Sequence, residues 1–374
     1  MILSNPRGFY TVGNDCYDNK LLALTACKKD QEVTWHFHDE VYSQLDWTKR
    51  PHGTLKDLYK QRAQQLRDQY DYLVLHFSGG SDSWNILNTF LSNGIRLDEI
   101  YTRWAKAERK FVNPDPNHKE EWNIGSEFEY AVLPVLEKIR ISHPGINIVI
   151  DDYSEEYTKK VQEDQFLKSD QFQMIGTFFR YTRRSEQEIS AEKKNKKIGV
   201  VMGFDKINCT VENGDFYAYF SDGLGGADID SKRTIEPFYW SPNFTSLPVL
   251  QVHCIKEYLE NYGLNKTLLY RDLYIKVCYP DYNINTFQVG KFTGTMLSKS
   301  ESWILKYNSL HIDSWRWGLK QMLKVIDDRF KKKKNIVVGL KQINSKKYLI
   351  KKNCGLPNFY YAGYDSTSKL QFNS

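Results

Sequence analysis

The sequence predicts an α/β fold in which a parallel sheet of about five strands carries helices on both faces, followed by helical C-terminal additions. The stretch 71–94 (DYLVLHFSGGSDSWNILNTFLSNG) combines an apolar, β-prone run, a Gly/Ser-rich loop and a segment with apolar residues at helical spacing. Short apolar runs recur further along the chain, and segments of helical periodicity lie between them. Strands that alternate with helices in this way are typical of parallel sheets.

The predicted strands of the sheet are short apolar runs, as strands buried on both faces require. They lie at 72–77, 99–104, 146–150 and 198–202. Two further β-like runs, 210–211 and 216–220, flank Asn213-Gly214. This dipeptide is a strong hairpin signal because both of its residues tolerate positive φ angles.

Helical spacing of apolar residues precedes the first of these strands, over 55–70. Arg62 and Arg67 lie on the polar side of this predicted helix and are expected to be solvated. Further helices are predicted at 84–93, 128–139, 248–261, 266–277 and 303–330, with two more between 155 and 190.

The helix at 84–93 has recognisable ends. Asp82 or Ser83 is expected to cap it by accepting a hydrogen bond from a free backbone N–H. Gly94 stands where a left-handed C-terminal residue is expected.

The loop before this helix has the composition of an anion site. Gly79 and Gly80 allow the backbone to approach an anion closely, while Ser78, Ser81 and Ser83 offer hydroxyl donors. The start of the following helix adds backbone N–H groups and the positive end of the helix dipole. The loop is therefore expected to bind phosphate.

Asp82 would repel a phosphate by itself, so we expect it to face a magnesium ion that bridges carboxylate and phosphates. The sequence contains neither Gly-x-x-x-x-Gly-Lys-Ser/Thr nor Gly-x-Gly-x-x-Gly, which excludes the two commonest nucleotide-binding loops.

The hexapeptide at 78–83, SGGSDS, resembles the PP-loop, Ser-Gly-Gly-x-Asp-Ser, of the N-type ATP pyrophosphatases. That superfamily includes the synthetase domain of asparagine synthetase, tRNA lysidine synthase, tRNA thiolation enzymes and the 7-cyano-7-deazaguanine synthases. Asparagine synthetase also has a helix like that at 55–70 before its PP-loop strand. The resemblance implies an adenine nucleotide alpha hydrolase-like fold that uses ATP and Mg²⁺. The alternative is a simple Ser/Gly turn between a strand and a helix.

The resemblance also assigns roles beyond the loop. The backbone of Thr102 and Arg103, near the end of the second strand, would contact adenine. Gly203 and Asp205 loosely match a second family motif, which would make Asp205 a magnesium ligand together with Asp82. Lys206 stands where a second carboxylate is usual, and could contact phosphate directly. The alternative for this segment is a Gly-Asp turn.

A PP-loop enzyme also needs a cation on the departing pyrophosphate, and the candidates are Lys291, Lys299 and Arg233. The acidic, glycine-rich stretch 221–230 could line the site. Asp151 and Asp152 fall at the carboxyl end of the third strand, the edge at which open α/β sheets bind ligands.

Two other segments allow a functional and a structural interpretation. His36 and His38 form a His-x-His pattern that could bind a metal if it lies on a strand, or could belong to a half-buried strand. Arg183 and Arg184 follow a cluster of aromatic residues, which could stack on nucleic acid or form one buried and one solvated helix face.

Composition excludes several classes of protein. The 374-residue chain has a net charge of +6 and no run of 18 or more apolar residues, and its N-terminus lacks the order of a signal peptide. A cytoplasmic protein without a membrane segment is expected. The six cysteines contain no Cys-x-x-Cys pair, which argues against a zinc ribbon or an iron–sulfur cluster.

The predicted organisation has four parts. They are an aromatic-rich N-terminal segment (1–54), a PP-loop ATP-binding α/β domain (55–245), a helical region that completes the site (246–330) and a basic C-terminal tail or small β unit (331–374). The N-terminal segment is too short for a glutaminase domain, and Ile2 stands where an amidotransferase would place its catalytic cysteine.

The expected activity is that of an AMP-forming ligase. A carboxylate or carbonyl oxygen of a small-molecule acceptor would attack ATP, with release of pyrophosphate, and a nitrogen nucleophile would then displace AMP. Asp82, Asp205 and Lys206 would carry this chemistry, and a separate amidotransferase could supply ammonia. The alternatives are base modification of RNA or DNA, with the basic tail as the nucleic-acid contact, and a nucleotide-binding module without catalysis.

Overall fold

The computed structural model describes residues 8–17, 20–28, 30–104, 128, 132–152, 183–203, 207–222, 233–263, 270–279, 281, 343 and 345–359. Several predictions lie outside these described residues. They concern Asp205, Lys206, Lys291, Lys299, the helix at 303–330 and most of the basic tail.

The described elements, in chain order, are numbered here. The strands are β1 Phe9–Val12, β2 Asp15–Tyr17, β3 Val33–His36, β4 Tyr72–His76, β5 Glu99–Trp104, β6 Asn147–Asp152, β7 Ile198–Met202, β8 Asn208–Glu212, β9 Asp215–Tyr219, β10 Arg233–Pro237 and β11 Tyr348–Lys351. The helices are α1 Lys20–Ala26, α2 Asp39–Tyr42, α3 Leu55–Gln69, α4 Ser81–Ser92, α5 Leu133–Ser142, α6 Glu186–Lys193, α7 Ser246–Tyr262 and α8 Tyr270–Cys278.

A five-stranded, all-parallel sheet forms the centre of the fold, with the strand order β10-β7-β4-β5-β6. The predicted α/β class is therefore confirmed, as are the four strands that the apolar runs indicated. The fifth strand, β10, was not named from the sequence because its five residues, RTIEP, include two charged side chains and a proline instead of an apolar run. From β4 the chain adds strands on one side and then returns to add β7 and β10 on the other. The order of the sheet reverses between β4 and β7.

Both faces of the sheet are covered. On one face, Leu75 and Phe77 belong to a large apolar core shared with α3, α4 and α7. On the other face, Val74 and Val200 pack in a smaller cluster that includes Ala191 of α6. The alternation of side chains along each strand thus supplies two cores, and helices lie over both.

Helix α3 corrects one expectation. Arg62 is fully buried, and its guanidinium lies 2.8 Å from Oε2 of Glu236 on β10. Arg67 is largely buried as well, and its guanidinium lies 2.6 Å from Asp98. The prediction that both arginines are solvated was wrong. Helical periodicity identifies the polar side of a helix but not the carboxylates that the fold places beside it.

The ends of the helices follow backbone chemistry. Thr54 and Asp57 form a capping box at the start of α3. Gly94 adopts φ 64° after α4, which confirms the predicted left-handed residue, and Gly263, with φ 71°, follows α7. The helix predicted at 128–139 corresponds to α5, Leu133–Ser142, and Phe128 and Val132 before it are π-helical. Pro134 lies in the first turn of α5, where a missing N–H costs least.

Two small antiparallel sheets flank the parallel one, in the orders β2-β1-β3 and β11-β9-β8. The predicted hairpin is confirmed, since Asn213 and Gly214 have φ angles of 53° and 83° between β8 and β9. The strand β11 comes from the C-terminal basic region and pairs with β9. A cluster of buried aromatic rings joins the two sheets, and it comprises Phe37, Tyr42, Trp47, Phe220, Trp240 and Tyr348. No helix within the described ranges is long and apolar enough to cross a bilayer.

Candidate functional site

The SGGSDS loop lies at the carboxyl end of β4, beside the point where the strand order reverses. In open α/β sheets this is the position at which ligands bind. The stem of the loop is held by β5. The backbone N–H of Phe77 donates to the carbonyl of Tyr101 at 3.0 Å, and the hydroxyl of Thr102 donates to the carbonyl of Phe77 at 2.9 Å.

Two serines of the loop hold its own backbone, and one contact is that of the Ser78 hydroxyl, which accepts a hydrogen bond from the N–H of Gly80 at 3.4 Å. The Oγ of Ser83, which is buried, accepts a hydrogen bond from the N–H of Ser78 at 3.2 Å and donates to the carbonyl of Gly80 at 3.1 Å. Gly79 adopts φ 78°, a conformation that favours glycine. The loop is thus a preformed tight turn in which these hydroxyls act on the backbone.

Helix α4 begins directly from this turn. Its N-cap residue is Gly80, and no side chain in the described part of the protein caps it. The expectation that Asp82 or Ser83 caps the helix was wrong, because both residues already lie in the first helical turn. By contrast, α6 has Ser185 as a cap, whose hydroxyl accepts from the N–H of Glu188 at 2.9 Å. The first turn of α4 therefore offers backbone N–H groups and the positive end of the helix dipole to a ligand.

Gly203, at the end of β7, packs against this first turn. A Cβ at Gly203 would lie 3.1 Å from the backbone N of Ser83 and 3.2 Å from the carbonyl carbon of Asp82. Both distances are shorter than ordinary van der Waals contacts of a Cβ, so glycine suits this close approach. The structure therefore brings Gly203 and the SGGSDS loop together, as the sequence predicted. Asp205 and Lys206 lie outside the described residues.

Asp82 contacts two tyrosines that the sequence did not indicate. The hydroxyl of Tyr279, just after α8, donates a hydrogen bond to Oδ1 of Asp82. The hydroxyl of Tyr239 donates to the backbone carbonyl of Asp82 at 2.7 Å, and the amide of Asn85 donates to the same hydroxyl at 3.1 Å. Burial raises the pKa of both tyrosines well above its usual value, so both remain protonated donors. No local sequence pattern indicates these two tyrosines, because they lie 157 and 197 residues away from Asp82 in the chain.

The predicted adenine contacts are placed as follows. Thr102 is buried, and its side chain is directed to the carbonyl of Phe77. Arg103 is half-buried and pairs in register with Asp151 of β6. Both residues lie near the carboxyl end of β5, the strand next to β4, and their contact with adenine stays a prediction.

A row of polar side chains lies near the carboxyl ends of β4, β5 and β6. The ring of His76 stacks on Tyr101 with their centroids 5.0 Å apart. The hydroxyl of Tyr101 donates to Oδ2 of Asp151 at 2.6 Å, while Arg183 donates to Oδ1 at 2.5 Å. Burial is the main cause that raises the pKa of Tyr101, with the Asp151 carboxylate adding to it. Both carboxylate oxygens of Asp151 therefore accept hydrogen bonds.

Other candidates are accounted for by structural contacts. Arg233 stands at the amino end of β10, where its Nε lies 2.5 Å from Oε1 of Glu188. The structure thus places Arg233 at the edge of the sheet opposite the loop, away from any pyrophosphate bound there. Arg184 is paired with Glu192 at 2.5 Å. Asp222, from the glycine-rich stretch, is buried and accepts a hydrogen bond from Tyr10 at 3.0 Å.

The two histidines of the His-x-His pattern do not share a strand face. The strand β3 ends at His36, whose ring contacts Asp39 at 2.8 Å and Thr11 at 3.0 Å. His38 adopts a left-handed conformation at the start of α2. The described ranges contain no group of three or more His, Cys, Asp or Glu residues able to hold a metal.

Asp82 nevertheless fits the magnesium ion that accompanies a nucleotide. Mg²⁺ is bound in such sites by one or two carboxylates together with substrate phosphates and water, so a complete cage of protein ligands is not needed. The carboxylate lies in the first turn of α4, beside the uncapped N–H groups that would face the phosphates. When present, the ion would neutralise phosphate charge.

Comparison of the chain with protein-family models, with curated proteins and with solved structures gives no match in any of the three. The function therefore has to be inferred from the geometry of the site and from the resemblance of the SGGSDS loop to the PP-loop.

Proposed function

We propose that the protein binds ATP at the SGGSDS loop and transfers its adenylyl group to an acceptor oxygen. One observation carries the proposal. The loop forms a tight turn into an uncapped helix at the carboxyl edge of a parallel sheet, next to the reversal of strand order, and Gly203 closes against it. This combination of backbone donors, helix dipole and position favours a phosphate chain.

In the proposed reaction, an oxygen of a carboxylate or carbonyl forms a bond to the α-phosphorus of ATP, and the bond from that phosphorus to the bridging oxygen breaks. Pyrophosphate leaves, held by the N–H groups of the loop and of the first turn of α4. A nitrogen nucleophile then displaces AMP from the activated acceptor. Asp82 holds Mg²⁺, and catalysis depends on alignment and charge neutralisation.

A small molecule is proposed as the acceptor, and ammonia or an amine as the nitrogen source. A separate amidotransferase could deliver the ammonia. Base modification in a nucleic acid uses the same adenylation chemistry. The experiment therefore has to distinguish a small-molecule acceptor from a nucleic acid.

The test is product analysis with α-labelled ATP and magnesium in a desalted cell extract supplemented with ammonia, with and without nuclease. Wild type is compared with Asp82→Ala and with Asp46→Ala, which removes an exposed carboxylate that pairs with Lys49. We expect labelled AMP with wild type and Asp46→Ala, and its loss with Asp82→Ala.

Loss of the labelled AMP after nuclease treatment would show that the acceptor is a nucleic acid and not a small molecule. Formation of ADP and phosphate would contradict adenylation. Tight binding of ATP without turnover under every condition would leave a nucleotide-binding module as the better explanation.

A further inference from the structure

We propose that Tyr279 is a positioning residue that orients the Asp82 carboxylate for the metal–nucleotide complex, and that it thereby makes the helix α8 part of the site. The inference rests on the proposed function, because it assigns Asp82 to the metal that accompanies ATP. It adds to that function a residue nearly two hundred positions away in sequence, as the separation of 197 between the two partners shows.

The hydroxyl of Tyr279 is the group that touches Asp82. Its ring is almost fully buried and lies against the rings of Tyr239, with centroids 5.7 Å apart, and Tyr274, at 6.1 Å. The ring therefore serves packing, while the hydroxyl donates to Oδ1 of Asp82. A change from Tyr to Phe would keep the packing of the ring and remove the hydrogen bond to Asp82.

The position of this hydroxyl is determined by contacts on several sides. The carbonyl of Cys278, the preceding residue, accepts a hydrogen bond from the hydroxyl of Tyr59 on α3 at 2.7 Å. The side-chain amide of Gln251 on α7 donates to the hydroxyl of Tyr59 at 3.1 Å. The end of α8 is thus attached to α3 and α7, so Tyr279 is held in a fixed position relative to the loop.

The hydroxyl can act only as a donor toward the carboxylate. An ionised carboxylate only accepts hydrogen bonds, so the phenolic O–H of Tyr279 supplies the proton in this contact. A donor fixed in this way selects one orientation of the carboxylate.

Groups that hydrogen-bond to a metal ligand typically change metal affinity by about 10–100-fold when they are removed. Tyr239 strengthens the arrangement from the other side, because it holds the backbone carbonyl of Asp82. The two tyrosines together fix both the main chain and the side chain of this residue. We therefore expect removal of the Tyr279 hydroxyl to weaken the metal-dependent part of nucleotide binding selectively.

The experiment measures the Kd of an ATP analogue with a methylene bridge between the α- and β-phosphorus atoms, once in magnesium chloride and once in EDTA. The ratio of the two values is the metal-dependent factor. The proteins are wild type, Tyr279→Phe, Asp82→Asn and Tyr274→Phe. Tyr274 provides a matched control, because its hydroxyl belongs to the same buried layer but contacts the carbonyl of Ile207 and the side chain of Gln251.

We expect Tyr279→Phe to lower the metal-dependent factor by about tenfold or more and to leave the Kd in EDTA unchanged. Asp82→Asn should abolish the factor, and Tyr274→Phe should retain it. An unchanged factor in Tyr279→Phe, or an equal loss of binding in magnesium and in EDTA, would overturn the positioning role while nucleotide binding stands. Absence of binding by folded wild type would overturn both this inference and the proposed function.

Discussion

The two edges of the parallel sheet use polar residues in opposite ways. At the amino edge, charged side chains are buried and bind one another. At the carboxyl edge, beside β4, short residues and backbone N–H groups are presented at the start of an uncapped helix. The comparison separates polar groups that stabilise the fold from polar groups that are available to a ligand.

The amino edge is built around two buried glutamates. Glu99 accepts hydrogen bonds at Oε2 from Tyr72, Asn147 and Ser185, at distances of 3.1, 2.8 and 2.7 Å. Glu188 lies 2.5 Å from Arg233. Within the described part of the chain, one oxygen of each glutamate is buried without a hydrogen-bond partner. Such a network costs desolvation free energy and depends on every contact that it does make.

Beside β4 and β7, the carboxyl edge is built from glycines, serines and the backbone N–H groups of the first turn of α4. Its glycines allow a tight turn and a close contact between β7 and α4, and its serines act on the loop backbone. We therefore expect substitutions at the amino edge to reduce the free energy of unfolding and those at the carboxyl edge to reduce ligand affinity.

The largest effect is expected from Arg233→Met. This substitution leaves the carboxylate of Glu188, which is 1% exposed, without its closest cation. Breaking a buried pair in this way should lower the free energy of unfolding by about 3 kcal/mol. Urea denaturation would measure it. Lys347→Met is the control, since the pair of Lys347 with Glu212 is about a third exposed, and its loss should cost at most about 1 kcal/mol. Equal effects of the two substitutions would contradict the structural role of the amino edge.

The cost of Arg233→Met should also depend on pH. Burial is the main cause that raises the pKa of Glu188 above its ordinary value of 4.5, and Arg233 opposes that rise. The stability that comes from protonating Glu188 is present below the ordinary value and is lost as the pH rises through the higher pKa of the folded state. Without Arg233 the folded-state pKa rises further, so the loss at neutral pH is larger.

Denaturation of wild type and Arg233→Met at about pH 7 and about pH 4 would test this expectation. The difference in the free energy of unfolding between the two proteins should be smaller at the lower pH, where Glu188 is closer to neutral in both. A difference that grows on acidification would show that another group dominates the effect.

A smaller effect on stability, with a change in binding, is expected from Gly79→Ala. Gly79 has φ 78°, and an L-residue in that conformation costs roughly 1–2 kcal/mol. If the loop relaxes to avoid this strain, its N–H groups move and nucleotide affinity should fall by about tenfold, the equivalent of about 1.4 kcal/mol. Calorimetric titration with the methylene analogue of ATP would measure the change.

Gly94→Ala is the matched control for that experiment. Gly94 has φ 64° at the opposite end of α4, and nothing lies within 4 Å of the position of a new Cβ. It should produce a similar loss of stability with unchanged affinity. Equal nucleotide affinities of Gly79→Ala and Gly94→Ala would contradict a role of the SGGSDS loop in nucleotide binding.

Much of the fold could be predicted from local patterns. The runs that became β4, β5, β6 and β7 are apolar enough to be recognised without any partner. The strand β10 was missed because its charged residues are buried by contacts with distant segments, such as that of Glu236 with Arg62. Charged residues predict a solvated segment only when the fold places no opposite charge beside them.

The candidate site divides in the same way. The SGGSDS loop was recognised from its composition and Gly203 from the family resemblance, and the structure brings them together. Tyr239 and Tyr279 were missed because they reach Asp82 from separate segments of the chain. Arg233 was considered from its charge alone, and the register of β10 places it at the other edge.

The sequence by itself determined the elements with local causes, namely the apolar strands, the amphipathic helices, the Asn213-Gly214 hairpin and the glycine-rich turn. Backbone conformation and burial of neighbouring side chains depend mainly on residues a few positions apart, and this is why such patterns can be read directly. Only the tertiary structure decided the strand order, the burial of Arg62 and Glu188 and the contact of Tyr279 with Asp82. These features depend on which distant segments pack together, because the cost of burying a charge or a hydroxyl is offset only when its partner is in place.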